Sequence, residues 1–219
     1  MSAVILEERA MIPDGIRNHD SYRRWARSPE FPQTGRFAYL SGKIWVDMSP
    51  EELMTHNLVK GEYASVLTRL LKTIRRGKYF HDRTLITNVS AGLSTEPDGT
   101  FVSFESLRVG RVTLVEGQHG YIEMEGSPDM TLEVVSFSSV KKDTVDLREL
   151  YWKARVREYW LVNALEDELQ FDILRRMKSG YIASRKRSGW VESKVFAKSF
   201  KLTSKPDELG FPEYTLSVR

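Results

Sequence analysis

Glu133 lies between Leu132 and Val134 in the run Thr131-Leu132-Glu133-Val134-Val135, so a strand there aims its carboxylate into a largely apolar layer. An isolated charge in such a layer costs on the order of several kcal/mol, and it needs a cation, either a Lys or Arg partner or a bound metal. Asp98 stands in the turn Glu96-Pro97-Asp98-Gly99. An Asp in such a turn can serve simply by bonding backbone two residues on. It can also reach Glu133 side by side from a neighbouring strand. Asp129, the rival acid, lies four strand residues from Glu133, roughly 13 Å at about 3.3 Å per residue, too far for two ligands of one small ion. Two carboxylates completed by carbonyls and waters suit Mg2+, with Mn2+ as a substitute. Such an ion polarises a phosphoryl oxygen and acidifies the attacking water. His56, at a helix start, reads as a capping or packing residue.

The elements that must carry these residues follow from periodicity. Phe37 to Met48 predicts a hairpin turning at Ser41 and Gly42. From Thr55 to Arg76, the residues Val59, Tyr63, Val66, Leu67, Leu70, Leu71 and Ile74 recur at steps of three and four. That spacing predicts a helix capped by Thr55 or Ser49 and stopped at Gly77. Thr84–Leu93 and Thr100–Phe104 read as strands on either side of the Asp98 turn, and Thr131–Ser136 as a strand buried on both faces. A helix over Asp143–Arg155, with the stripe Leu147, Leu150, Tyr151 and Ala154, leads to a buried strand at Tyr159–Val162. Strand, helix, strand implies a right-handed crossover and parallel pairing. Leu169, Phe171 and Ile173 alternate in the next strand. The prolines Pro13, Pro29 and Pro32 make residues 1–36 an irregular arm, with room for a short helix over His19–Ala26.

Composition narrows the chemistry. The chain has 219 residues, 41% of them hydrophobic, enough to bury a substantial core. It has no cysteine, which excludes disulfides, thiolate catalysis and zinc–thiolate sites and suits a reducing compartment. No segment approaches the roughly 18 apolar residues of a membrane span. The first fifteen residues carry acids where a signal peptide carries basic groups, so a cytoplasmic protein without a membrane partner is expected. The net charge of +3 favours a polyanion only weakly. Basic residues cluster at Lys72, Arg75, Arg76 and Lys78, and again at Arg175, Arg176, Lys178, Arg185, Lys186 and Arg187 around Tyr181 and Trp190. Basic and aromatic groups together suit phosphates and stacked bases, although a solvated hairpin face explains them as well. The sequence contains no Gly-rich phosphate loop, nucleophile elbow or HExxH.

Several runs together resemble one family. They are Pro128-Asp129-Met130-Thr131-Leu132-Glu133-Val134-Val135-Ser136, Ser138-Ser139, Lys142-Asp143-Thr144 and Arg157-Glu158-Tyr159-Trp160-Leu161-Val162. Upstream, Gly42, Met48-Ser49-Pro50, His56 and Pro97-Asp98 also match. The family is the Uma family of restriction endonucleases, and the resemblance covers roughly residues 37–175. It implies the PD-(D/E)xK fold: an α/β, restriction-endonuclease-like central mixed sheet flanked by helices, here with an extra N-terminal hairpin and C-terminal strands. Residues 37–219 then form a single domain that includes a basic C-terminal β extension. It also implies metal-holding acids at Asp98 and Glu133 and a nearby catalytic lysine. The usual lysine position is Val135, and the alternative position, four residues before Tyr151, is Leu147. Lys142, just before the helix, is the candidate for that role, and Lys153, off the core stripe, is the weaker one. The acid that the family carries near the start of the hairpin is missing, since Ala38 follows Phe37.

The leading expectation is a Mg2+-dependent endonuclease acting on DNA, with catalytic Asp98, Glu133 and Lys142. The alternative is an inactive nucleic-acid-binding or regulatory module that keeps the fold, and a more distant one is a hydrolase of another phosphodiester. The reading admits a homodimer.

Overall fold

In the computed structural model, which describes residues 12–165 and 169–219, helix α1 (His19–Ala26) is capped by Asn18 and Ser21 in a reciprocal box. Residues 1–11, where the expected arm and the leader argument begin, lie outside the described residues. α1 buries Tyr22 and Trp25 against Phe37 and Tyr39. Those two belong to β1 (Arg36–Leu40), which forms the expected hairpin with β2 (Lys43–Asp47). Ser41 and Gly42 both take positive φ, 48° and 95°, as a two-residue hairpin turn demands.

Helix α2 (Leu58–Ile74) follows a wide π-helical turn over Leu53–Asn57. Neither Thr55 nor Ser49 caps it. Glu52 does, its carboxylate accepting from the backbone N–H groups of Met54, Thr55 and His56. The helix ends at Arg75, in left-handed conformation, and Gly77 already opens β3 (Gly77–His81), a strand the periodicity did not reveal. A Cβ at Gly77 would meet Val102 O at 2.2 Å, so the close approach of β3 to the segment carrying Val102 requires glycine there.

The strand expected over Thr84–Leu93 is two, β4 (Ile86–Asn88) and β5 (Leu93–Thr95). Asn88 Oδ1 accepts from Ala91 N, and Gly92 at φ 59° turns the chain back between them. Next come β6 (Gly99–Ser103), α3 (Phe104–Arg108), β7 (Val112–Gly117), β8 (Gly120–Gly126) and β9 (Met130–Val134). A second π-helical turn, Lys142–Asp146, opens α4 (Leu147–Lys153), whose Leu147, Leu150 and Tyr151 are buried as the stripe predicts. The remaining strands are β10 (Glu158–Asn163), β11 (Gln170–Met177), β12 (Gly180–Ala183), β13 (Lys186–Arg187), β14 (Trp190–Ser193), β15 (Lys198–Pro206) and β16 (Pro212–Val218).

The class is α/β with mixed sheets. One six-stranded sheet runs β2-β1-β5-β4-β8-β7, a second β12-β11-β10-β9-β6-β3, and a four-stranded sheet β13-β14-β15-β16. β9 and β10 pair in parallel across the α4 crossover. The hairpin belongs to the first sheet through β1–β5 pairing. The core around α2 unites Tyr63, Leu67 and Phe101 with Trp160, Phe196 and Phe200. Among the described residues, no helix is long and apolar enough to cross a membrane.

Candidate active site

The two six-stranded sheets exchange the chain at Glu96-Pro97-Asp98, between β5 of one and β6 of the other. β6 pairs antiparallel with β9, Gly99 opposite Leu132, so Asp98 and Glu133, one residue further on each strand, face each other. Val134 N donates to Asp98 Oδ2 at 2.8 Å and locks that approach. Here the C-terminal end of β9 opens into a cavity of about 270 Å³ lined by Asp98, Glu133, Lys142, Asp143, His56 and Arg36. A crevice beyond the strand ends is where open α/β sheets hold ligands.

Three basic side chains converge on Asp98, which is 3% exposed. Arg36 donates to Oδ1 at 3.1 Å, His56 Nε2 lies 3.5 Å from Oδ2, and Lys60 Nζ lies 3.8 Å from Oδ1. Burial alone would raise the Asp98 pKa, but His56, Lys60 and Arg36 outweigh it and hold the carboxyl well below the usual range. His56 is therefore no helix cap: burial opposes its protonation, yet Asp98 and Glu51 raise its pKa above the ordinary value.

Glu133 has the opposite balance. Tyr151 donates to Oε1 at 2.5 Å, and Lys142 Nζ stands 3.5 Å from Oε2. Burial pushes its pKa up to about 8, Lys142 pulls against that, and the Asp143 and Asp98 charges add to it. Lys142 lies closer to Asp143, 2.5 Å from Oδ1, so one ammonium is shared between two buried acids, and burial raises the pKa of both. Desolvation would lower the Lys142 pKa, but Glu133 and Asp143 raise it and keep the amine an ammonium.

The structure thus brings Asp98, Glu133 and Lys142 to one cleft. Val135 and Leu147, the two positions where a lysine was sought in vain, are both fully buried in apolar surroundings. Asp129 is separate: at the other end of β9 it accepts from Ser103 N, Ser106 Oγ and Arg157, and it ties elements together. Tyr181 is buried with its hydroxyl on Val156 O, so it is no stacking surface for bases. Arg36, Lys60 and Asp143 escaped sequence reasoning. Lys60 was findable, because His56, Lys60, Tyr63, Leu67 and Leu71 follow steps of three and four along one buried face.

Among the described residues, no three acidic or imidazole side chains form a ready-made metal cage. Magnesium does not require one, since it binds through one or two carboxylates and keeps several waters. The donor chemistry fits such an ion: two buried carboxyl groups face one cleft, and the raised pKa of Glu133 reflects a shortage of positive charge beside it. The ligands would be Asp98 and Glu133.

A family described as "Putative restriction endonuclease", Uma2, matches residues 19–204. The fold is similar to the crystal structure of a putative nuclease belonging to DUF820 from Anabaena variabilis, with a TM-score of 0.59 and 19% identity over 82% of this chain and 90% of that one. No curated protein matches the chain. With the match spanning most of its length, including both acids, Lys142 and their supporting strands, the chain belongs to the Uma2 family.

Proposed function

We propose that the chain is a metal-dependent endonuclease, using Mg2+ or Mn2+, that hydrolyses phosphodiester bonds of DNA in the cytoplasm. The observation that carries the reading is the meeting of two buried acids, Asp98 and Glu133, with the Lys142 amine in one cleft at the end of β9. A divalent ion held by Asp98 and Glu133 would polarise the phosphoryl oxygen and acidify a water for attack. Lys142 offsets the negative charge that grows on the phosphate as water attacks phosphorus in line. Asp143 keeps the ammonium in place, and Ser139 Oγ in turn donates to Asp143. Tyr151 fixes the orientation of Glu133, while Arg36, His56 and Lys60 keep Asp98 charged and aimed.

Supercoiled plasmid incubated with the protein in Mg2+, in Mn2+ and in EDTA tests this, with Asp98→Ala as control. Nicking that needs the metal and vanishes in the variant is the expected result. An absence of cutting by the parent chain under every metal moves the reading to a nucleic-acid-binding or regulatory module.

A further inference from the structure

The loop that follows β9 is tied down on both sides, yet it holds one aromatic ring out in solvent. Ser138 Oγ donates to Asp47 of β2, Ser139 Oγ donates to Asp143, and Ser136 N donates to Ser139 Oγ at 2.9 Å. Phe137, between these anchors, is 77% exposed and lines the Asp98–Glu133 cleft. Phe101, Phe196 and Phe200, by contrast, are buried in the core. Trp45 lines the same cleft with the Lys142 ammonium 4.9 Å from its ring centre. The cleft therefore offers exposed apolar ring surface on an anchored loop, together with an ammonium. The complementary ligand is a flat ring with a phosphate close by, which is the chemistry of a nucleotide.

We propose that Phe137 is a stacking platform for the base beside the scissile phosphate, so that the preferred substrate is DNA whose bases are unpaired at the cut. The location of that phosphate rests on the nuclease reading above. In a duplex each base already stacks on its neighbours and hides its faces, so only single strands, loops and frayed ends present a free face without unstacking. The hydrogen bonds of Ser136, Ser138 and Ser139 fix the loop on both sides of Phe137 before binding, so little backbone freedom is lost when a base arrives.

The test uses the full chain in EDTA with a short oligonucleotide offered single-stranded and as its blunt duplex. The parent, Phe137→Ala and Phe137→Trp are compared. The single strand is expected to bind the parent more tightly than the duplex does. Phe137→Ala should weaken single-strand binding about tenfold and barely change the duplex, and Phe137→Trp should restore it. Because the ring is exposed, the thermal midpoint of Phe137→Ala should equal the parent's. Single-strand binding by Phe137→Ala at parental strength, equal losses on both probes, no rescue by Trp, or no binding of either probe overturns the proposal. Repeating the comparison with Mg2+ separates the two readings. Cutting that ignores Phe137→Ala removes the platform and keeps the nuclease, whereas Phe137-dependent single-strand binding without cutting does the reverse.

Discussion

Asp98 and Glu133 sit across one strand pair with pKa values displaced in opposite directions, because His56, Lys60 and Arg36 crowd the first while the second shares one ammonium with Asp143. Glu133 holds its proton more tightly in the folded chain than in the unfolded one. Its contribution to stability is therefore full below the unfolded pKa of an ordinary glutamate and is lost as pH rises through about 8. Glu133→Gln should match the parent at pH 5 and, in EDTA, be more stable at pH 8.5 by about 1–3 kcal/mol. Calorimetry at both pH values reads this, and a less stable variant at pH 8.5 would mark a structural ion pair with Lys142. The same proton must leave for a cation to bind, so Mg2+ affinity by titration calorimetry should rise between pH 6 and pH 8 in the parent, and Glu133→Gln should bind far more weakly at every pH. Lys142→Ala should keep metal binding but cut ~10²-fold more slowly or worse. It also leaves Asp143 buried without its ammonium, at about 3–5 kcal/mol, so Lys142→Ala with Asp143→Asn should recover stability without recovering rate. Glu133 was legible in sequence because a charge inside an apolar run demands explanation, and Asp98 because a turn beside a neighbouring strand can bring it to Glu133. Arg36 was not, since its partners Asp98 and Glu51 arrive from other elements, and Asp143 stood in a matching run without a role of its own.

Both helices that serve the cleft enter through π-helical turns, Leu53–Asn57 ahead of α2 and Lys142–Asp146 ahead of α4. Each wide turn carries site residues, His56 on the first and Lys142 with Asp143 on the second, in keeping with the frequent use of such turns at functional sites. Apolar periodicity located the bodies of both helices but could not show these entrances, because the apolar stripes begin only after them, at Val59 and Leu147. The cap of the first turn was missed for a related reason: serine and threonine are the usual N-cap residues, and here the longer Glu52 side chain reaches three backbone N–H groups. Glu52→Ala should cost about 1–2 kcal/mol in urea denaturation. It should also loosen His56 against Asp98, which a lowered His56 pKa by NMR titration would report. An unchanged midpoint would show that solvent satisfies those donors equally well. β3 stayed hidden because Gly77 reads as a helix stop while also permitting close approach to β6, and β4–β5 read as one strand because the turn at Asn88 and Gly92 is only a few residues long.

At the scale of the whole molecule, the last sheet is part of the main core although its sequence reads as a basic extension. Phe196 and Phe200 pack on Trp160, with ring centres 5.4 and 4.7 Å apart, and Tyr63 of α2 closes the group from the other side. Glu158, at the start of β10, accepts from Ser193 Oγ at 2.6 Å and from the backbone N–H groups of Lys194 and Val195. Leu216 N donates to Glu62 of α2 at 2.7 Å, which ties β16 to the helix that carries Lys60 to the site. The strands that hold Asp98 and Glu133 thus lean on the same aromatic cluster that the last sheet completes. A chain ending at Ser184 would open that cluster to water and leave the Glu158 carboxylate with the Trp160 Nε1 donor but without those of Ser193, Lys194 and Val195, at on the order of several kcal/mol for the buried charge. Since folded domains are stable by only about 5–15 kcal/mol, the shortened chain should lose its cooperative thermal transition, while the full chain melts in a single one. Glu158→Gln, which keeps the shape and removes the charge, should lower stability by about 1.5–3 kcal/mol without abolishing folding. A chain ending at Ser184 that still melts cooperatively near the parental temperature would make the last sheet an appendage rather than a wall of the core.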